Sequence, residues 1–327
     1  INFFGLTLQR PGVRWAVVDS SLNIVLEEIS SQAALDPTNQ AVVEHEGMLI
    51  LDSVSVEVVA NDLRGWHLLG TSGDSGGHSF AVRGSSQTIV RDSFFEGGSI
   101  TAFEIFGGRN NIAIHNRITN PRAGCVYLIN TTEAFFIENS VHGCGSDSVD
   151  HSTAIKVENA TSVTVRGNLI YESAEGILQW VDDDNDVIRG GRFAHNTIVL
   201  NKAEGISIDD QSKLNVDVSD MIVVNNILYG NSDGDPGGAV QLYAQDFEPA
   251  GMGVFPVDLR VRGNGFSNLL AENCSRDLML DMLDGKSCPI TIAGLGNGDV
   301  DYFQLVNEVR DPNVADNIEG DPNLRSL

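Results

Sequence analysis

The sequence predicts an all-β solenoid, in which short strands wind coil upon coil around one elongated core. Three observations carry this. The first is self-similarity: Ile155-Lys156-Val157-Glu158-Asn159, Leu178-Gln179-Trp180-Val181-Asp182 and Ile206-Ser207-Ile208-Asp209-Asp210 repeat one alternating pattern, and each precedes a segment carrying Gly167-Asn168, His195-Asn196 or Asn225-Asn226. The second is a series of polar anchors at Asp92, Asn116, Asn139, Asn168, Asn196, Asn226 and Asn264, at first about two dozen residues apart and later more widely spaced. The third is turn chemistry. The 34 glycines in 327 residues exceed the roughly seven per cent of ordinary proteins, as a chain with many corners requires.

Each element follows from a period of two. Segments carrying a polar anchor include Asn111–Ile118, Ala134–Val141 and Ser162–Ile170, and between the anchors recurs a second strand: Phe103-Glu104-Ile105, Val126-Tyr127-Leu128, Ile155-Lys156-Val157, Leu178-Gln179-Trp180, Ile206-Ser207-Ile208 and Val240-Gln241-Leu242. Taking the apolar members as inward places Glu104, Tyr127, Lys156, Gln179, Ser207 and Gln241 in one outward row. A second outward row then holds Phe106, Ile129, Glu158, Val181, Asp209 and Tyr243. A single strand with one apolar face is unstable alone, and stacking coils at roughly 4.8 Å buries each inward side chain against its copies above and below. The anchors belong at corners, where αL-tolerant residues with bonding side chains satisfy the turn and amides bond one another along the axis. A column three residues after each anchor, Phe95, Thr119, His142, Tyr171, Val199 and Tyr229, reads as a stiffening stack.

The run Val163-Thr164-Val165-Arg166-Gly167-Asn168-Leu169-Ile170-Tyr171 and its relatives resemble the right-handed parallel β-helix proteins, the pectate-lyase-like superfamily with its short repeats. The resemblance covers residues 1–270 and implies a right-handed parallel β-helix of roughly ten or more coils. Residues 271–327 are expected to form an irregular C-terminal cap or exit segment, with a helix over Asp277–Leu283. Fold of this kind leaves function open, because lyases, hydrolases, epimerases, adhesins and fibres share it.

Composition narrows the choice. A net charge of -25 and a pI near 4.4 exclude binding to a phosphate backbone, which needs clustered Lys and Arg, so nucleic acid is not an expected partner. No apolar run is long enough to span a membrane as a helix. Cys125 and Cys144 stand near one repeat and are expected in neighbouring coils, and Cys274 with Cys288 encloses a short polar loop that fits a disulfide; neither pair has metal-site spacing, and the sequence leaves the pairing open. An extracellular or cell-surface location is expected, with a polysaccharide as partner and neighbouring domains or subunits of a larger assembly as further ones.

The outward rows supply candidate sites. Tyr127, Gln179, Ser207 and Gln241 are the expected sugar-binding groups, since sugar hydroxyls want polar partners and the ring wants an aromatic face. Acids gather at the strand ends: Glu158, Asp182, Asp183, Asp209 and Asp210. Strand spacing puts Asp182 roughly 5 Å from Asp210 and Glu158 roughly 10 Å from Asp209. These separations approach those of retaining and inverting glycosidase carboxylates, and mutual repulsion would raise the pKa of one member. The arrangement resembles the acid-bearing strand ends of polygalacturonases and the calcium sites of β-helix polysaccharide lyases, which implies Ca²⁺ as a cofactor held by Glu158, Asp182, Asp183, Asp209 and Asp210. For lyase chemistry Lys156 is the expected base, with Arg166, Arg189 or His142 as its partner, and Asp182 and Asp209 complete the catalytic set. The alternative, from another class, is a non-enzymatic structural or adhesive surface-fibre module.

Overall fold

Alternation in runs of three to seven residues, broken by turn residues, gives strands and leaves no segment with helical periodicity long enough to compete. In the computed structural model, residues 1–9, 16–32, 47–66, 78–98, 100–121, 123–145, 152–181, 187–210, 217–231, 240–246, 260–262, 265–267, 276–281, 314–315 and 318–319 are described. Their strands form three long parallel sheets of 11, 11 and 10 members, and no helix occurs among the described residues. One coil shows the plan. Val126–Ile129 lies in the third sheet, Phe135–Ile137 in the first and Ser140–His142 in the second. The next coil, Thr153–Glu158, Thr164–Arg166 and Leu169–Tyr171, stacks on it strand for strand. The chain is a parallel β-helix.

Three inward faces meet in one continuous core. Phe80 and Phe103 stack in the third sheet with centroids 5.3 Å apart, and Phe103 meets Phe95 of the second sheet at 5.4 Å and Phe136 of the first at 6.2 Å. All four rings are fully buried. Above them the core is mainly aliphatic, through Leu128, Ile155, Val165, Ile170 and Ile177, with the buried ring of Phe193 in the coil that follows Val165. Cys125 and Cys144 form a disulfide with Cα atoms 5.3 Å apart. It joins the start of Val126–Ile129 to the residue pair just past Ser140–His142, so it closes a single coil and does not link neighbouring coils as expected. Cys274 and Cys288 lie outside the described residues.

The corner between the first and second sheets is two residues long, and the work is divided between them. The first residue takes the left-handed conformation, with φ of 56° at His115, 52° at Glu138, 68° at Gly167 and 56° at His195. The second, the asparagine, points its amide inward. Asn168 Oδ1 accepts from the backbone N–H of Asn139 at 2.8 Å and from Asn139 Nδ2 at 3.2 Å, while its own Nδ2 donates to the Phe136 carbonyl at 3.0 Å. The same bonds recur at Asn139 and Asn196, and the chain of acceptors runs on to Asn226. The asparagines are therefore buried ladder residues, and αL tolerance is required of their neighbours, which vary freely because they are on the surface. In one coil the anchor moves: Ser93, not Asp92, occupies the ladder, accepting from the Asn61 N–H at 3.1 Å and donating its N–H to Asn116 Oδ1 at 3.0 Å. The outer column consequently contains Glu96 in register with Thr119, and Phe95 is turned into the core.

Two further expectations change. Strand Glu175–Val181 is shifted by one residue relative to the predicted register: Val157 pairs with Gln179 and Lys156 with Leu178. Gln179 therefore faces the core, 1% exposed, with Nε2 donating to the Val157 carbonyl at 3.0 Å and Oε1 without a partner. The cause is that Leu178 and Trp180 are also buried, at 4% and 5% exposure, on the outer face. A strand covered on both faces loses its alternation, and a one-residue slip exchanges its faces. Residues 276–281, expected to be helical, form a strand paired with Val240–Asp246. That strand, together with Val314–Ala315 and Ile318–Glu319, adds a further coil, so the stack extends into the segment expected to be the cap.

Removing the amide in Asn168→Ala strands two donors of Asn139 and one carbonyl, and is expected to cost about 2–4 kcal/mol in chemical denaturation. Gln179→Met, which deletes an unpaired buried carbonyl oxygen, is expected to change stability by less than about 1 kcal/mol or to raise it. Reducing the Cys125–Cys144 bridge is expected to lower stability by about 3 kcal/mol, read from unfolding midpoints with and without reductant.

Candidate functional site

The outer face of the third sheet gathers most of the polar and aromatic groups that sequence alone singles out. Register sets its rows. The first runs Ala81, Glu104, Tyr127, Lys156, Leu178 and Ser207, and the second runs Arg83, Phe106, Ile129, Glu158, Trp180 and Asp209. Parallel pairing without offset brings each side chain beside its copy one coil away, at the inter-strand spacing of about 4.8 Å.

Lys156 is the centre of this face. Its ammonium lies 2.5 Å from Glu158 Oε2, 5.3 Å from the Trp180 ring centroid and 5.8 Å from that of Tyr127. Both members of the ion pair are largely shielded, with 10% and 18% of their side chains exposed. The side chain is thus fixed by one carboxylate and two ring faces. Below, Glu104 is held by Arg83 at 2.7 Å and approached by His78 Nε2 at 3.5 Å, and it is itself 6% exposed. Between these pairs Phe106 stands out from the second row, 42% exposed, with Arg83 one coil below it and Ile129 one coil above. The face thus offers an open aromatic platform edged by fixed charged groups.

The expected site residues divide. Tyr127, Lys156, Glu158 and Ser207 are on this face, and Ser207 is buried there. Gln179 is in the core on the opposite side of the same strand, and its place is taken by Leu178. Gln241 keeps its parity but does not stand opposite Ser207, which pairs with Tyr243. Arg166 is exposed on the first sheet, Arg189 belongs to the small sheet Val187–Arg189 with Asp217–Ser219, and His142 is on the second sheet. Arg166 and His142 cannot partner Lys156, because residues close in sequence but one strand apart in the coil point outward from different sheets. Asp209 falls in the same row as Glu158, with Trp180 between them, and Asp210 pairs with Val181. Asp182 and Asp183 lie outside the described residues. Glu158, the one acid of the expected calcium set whose side chain is described, is engaged by Lys156, and no cluster of three metal-ligating groups occurs among the described residues.

Trp180, Phe106, Arg83 and Glu104 are the residues of this face that sequence reasoning left out as functional groups. Trp180 is hidden by the lost alternation of its strand. The charged pair Arg83–Glu104 becomes visible only once strands of consecutive coils are aligned.

A family model described as "Right handed beta helix region" matches residues 46–177 and 78–248. No curated protein matches the chain by sequence. Among solved structures, the Dettilon tailspike protein superposes with a TM-score of 0.53 at 13% identity, over 81% of this chain and 54% of that one. PfbA, a surface adhesin of Streptococcus pneumoniae, gives 0.51 at 14% identity, over 77% and 61% of the two chains. DFA-IIIase from Arthrobacter chlorophenolicus A6, without its lid, gives 0.51 at 11% identity, over 85% and 64%. The chain thus spans between about half and two thirds of the length of these structures, and the likeness is one of fold.

Breaking the shielded pair on one side, in Lys156→Met, is expected to cost about 2–4 kcal/mol because it leaves the Glu158 carboxylate facing two rings. The double variant Lys156→Met/Glu158→Leu is expected to recover most of that loss, and a double-mutant cycle on unfolding free energies checks it.

Proposed function

The chain belongs to the right-handed β-helix family, and from that premise we propose that it is an extracellular protein that binds a polysaccharide along the outer face of the third sheet. The observation that carries the reading is the exposed Phe106 platform in line with Arg83, Glu158 and the Tyr127–Lys156–Trp180 cluster. A pyranose ring has one apolar face and a rim of hydroxyls, so it needs a flat aromatic surface beside fixed donors and acceptors. A row repeating at each coil suits a polymer whose units repeat as well. The closed disulfide of the Cys125–Cys144 coil supports an oxidising, extracytoplasmic location. The names of two fold neighbours, a tailspike and a surface adhesin, agree with this.

Binding is favoured over cleavage by one feature of the site. The Lys156 nitrogen is committed to Glu158 and packed against two rings, with only 10% of its side chain exposed, so it is not presented to a ligand as a catalytic base must be. Cleavage of the lyase or glycosidase type would instead draw on the aspartates that the sequence singles out, Asp182, Asp183, Asp209 and Asp210, and those same oxygens are the ones that would hold Ca²⁺. The surface-fibre reading differs only in leaving the face unoccupied.

Affinity electrophoresis against neutral and uronate polysaccharides is expected to show retardation that Phe106→Ala reduces about tenfold or more, as loss of a sugar-stacking ring does. Retardation by no polymer, or retardation unchanged in Phe106→Ala, rejects the third-sheet site. Unsaturated or reducing-end product that disappears in Asp209→Asn assigns cleavage to the acids. A rise in melting temperature with Ca²⁺ over chelator, lost in Asp182→Asn/Asp209→Asn, assigns them the metal.

A further inference from the structure

A second groove, of about 690 Å³, lies on a different face, where the corner of the asparagine ladder meets the outer side of the second sheet. Its walls carry Phe94, Arg117, Thr119 and His142. We propose that this groove is a separate binding site for an acidic sugar residue, whose carboxylate is taken by the Arg117 guanidinium.

The charges of the groove single out Arg117. Asp62 is bonded to Arg64 at 2.5 Å, Glu96 acts on the same guanidinium, and Asp92 is bonded to Arg91 at 2.9 Å. Arg117 is exposed, and among the described residues no carboxylate lies within ion-pair distance of it. In a chain with a net charge of -25, a guanidinium whose neighbouring acids Asp62 and Asp92 are bonded to other arginines is the point of the groove at which an anion gains most. Phe94 fixes its position: the ring lies between Arg64 at 4.6 Å and Arg117 at 5.4 Å from the centroid, so the two cations are held on either side of one ring.

His142 completes the wall. Its ring stacks face to face on Tyr171 at 4.8 Å and 19°, which fixes the imidazole in the wall of the groove. Nε2 is 3.4 Å from Arg117 Nη2 and Nδ1 is 3.2 Å from Thr119 Oγ1. Burial, and then Arg117, hold its pKa below the ordinary 6.5, and Glu172 opposes them more weakly. A carboxylate seated on Arg117 replaces a repulsive neighbour by an attractive one and raises the pKa of His142 in the complex. Binding therefore takes up a proton, and affinity for the acid rises as the pH falls through the raised pKa of the complex toward the lower pKa of the free protein.

The test is calorimetric titration of the whole folded chain with short oligogalacturonate, oligomannuronate and sialyllactose, each beside its methyl ester. The ester keeps the sugar and removes the charge. At least one acid is expected to bind about tenfold or more tightly than its ester, and Arg117→Gln is expected to bring the acid down to the level of the ester. Arg166→Gln, which makes the same charge change on the first sheet, is expected to leave that ratio intact. His142→Gln is expected to retain the preference for the acid while removing its rise at low pH. Equal affinity for acid and ester, no loss in Arg117→Gln, or no binding by any of the three acids overturns the proposal. Because Phe106→Ala disables the third-sheet face alone, acid binding that survives it stands even if polymer binding there is absent.

Discussion

Everything in this molecule depends on satisfying backbone groups from one coil to the next. A parallel β-helix has no long helix to pay out its hydrogen bonds locally, so each strand finds its partners only above and below. The corners are the weak points, because a two-residue turn leaves an N–H buried with no strand opposite it. Asn116, Asn139, Asn168, Asn196 and Asn226 close that gap with one side chain each, which accepts from the coil below and donates to a carbonyl of that same coil. Where a coil places Ser93 there, the hydroxyl still accepts, and the ladder continues. The residue before the asparagine carries the left-handed strain and is otherwise unconstrained, which is why acids, histidines and glycine alternate at that position.

Zero-offset stacking has a second consequence: it converts a repeat in sequence into rows on a surface. Identical side chains would stack as ladders, and different ones meet as pairs. On the third sheet this yields Arg83 with Glu104 and the Lys156 cluster with its two rings; on the second it yields Arg64, Phe94 and Arg117 as an alternating column. The two faces are chemically unlike. Charges on the third sheet are shielded and mutually satisfied, so what that face presents to a ligand is shape and an aromatic surface. On the second sheet Arg117 has no ion-paired acid among the described residues, and the face presents charge.

The strand Glu175–Val181 shows how a functional surface can be hidden from a reading of periodicity. Its outer residues Leu178 and Trp180 are buried nearly as well as the inner Ile177, while its one polar residue inside, Gln179, mimics an outward position. The cover over the outer face that makes Trp180 apolar in environment is also what shields Lys156 and Glu158 from solvent. Burial on both sides and the ion pair thus have one cause.

Sequence by itself determined the class of fold, the corner asparagines, the inward aliphatic rows of most coils and the separation of the polar rows from the core. These are local or strictly repetitive properties, set by a period of two and by turn chemistry, and a repeat states them several times over. It also placed Tyr127, Lys156, Glu158 and Ser207 on one face, because in those strands alternation is clean. Tertiary structure alone decided the register of Glu175–Val181, the move of Gln179 into the core, the absence of Arg166 and His142 from the neighbourhood of Lys156, and the meeting of Arg117 with His142. Each of these turns on which residue of one coil lies above which residue of the next. That choice is made by loop lengths and by cover on the outer face, and neither leaves a periodic trace in the chain.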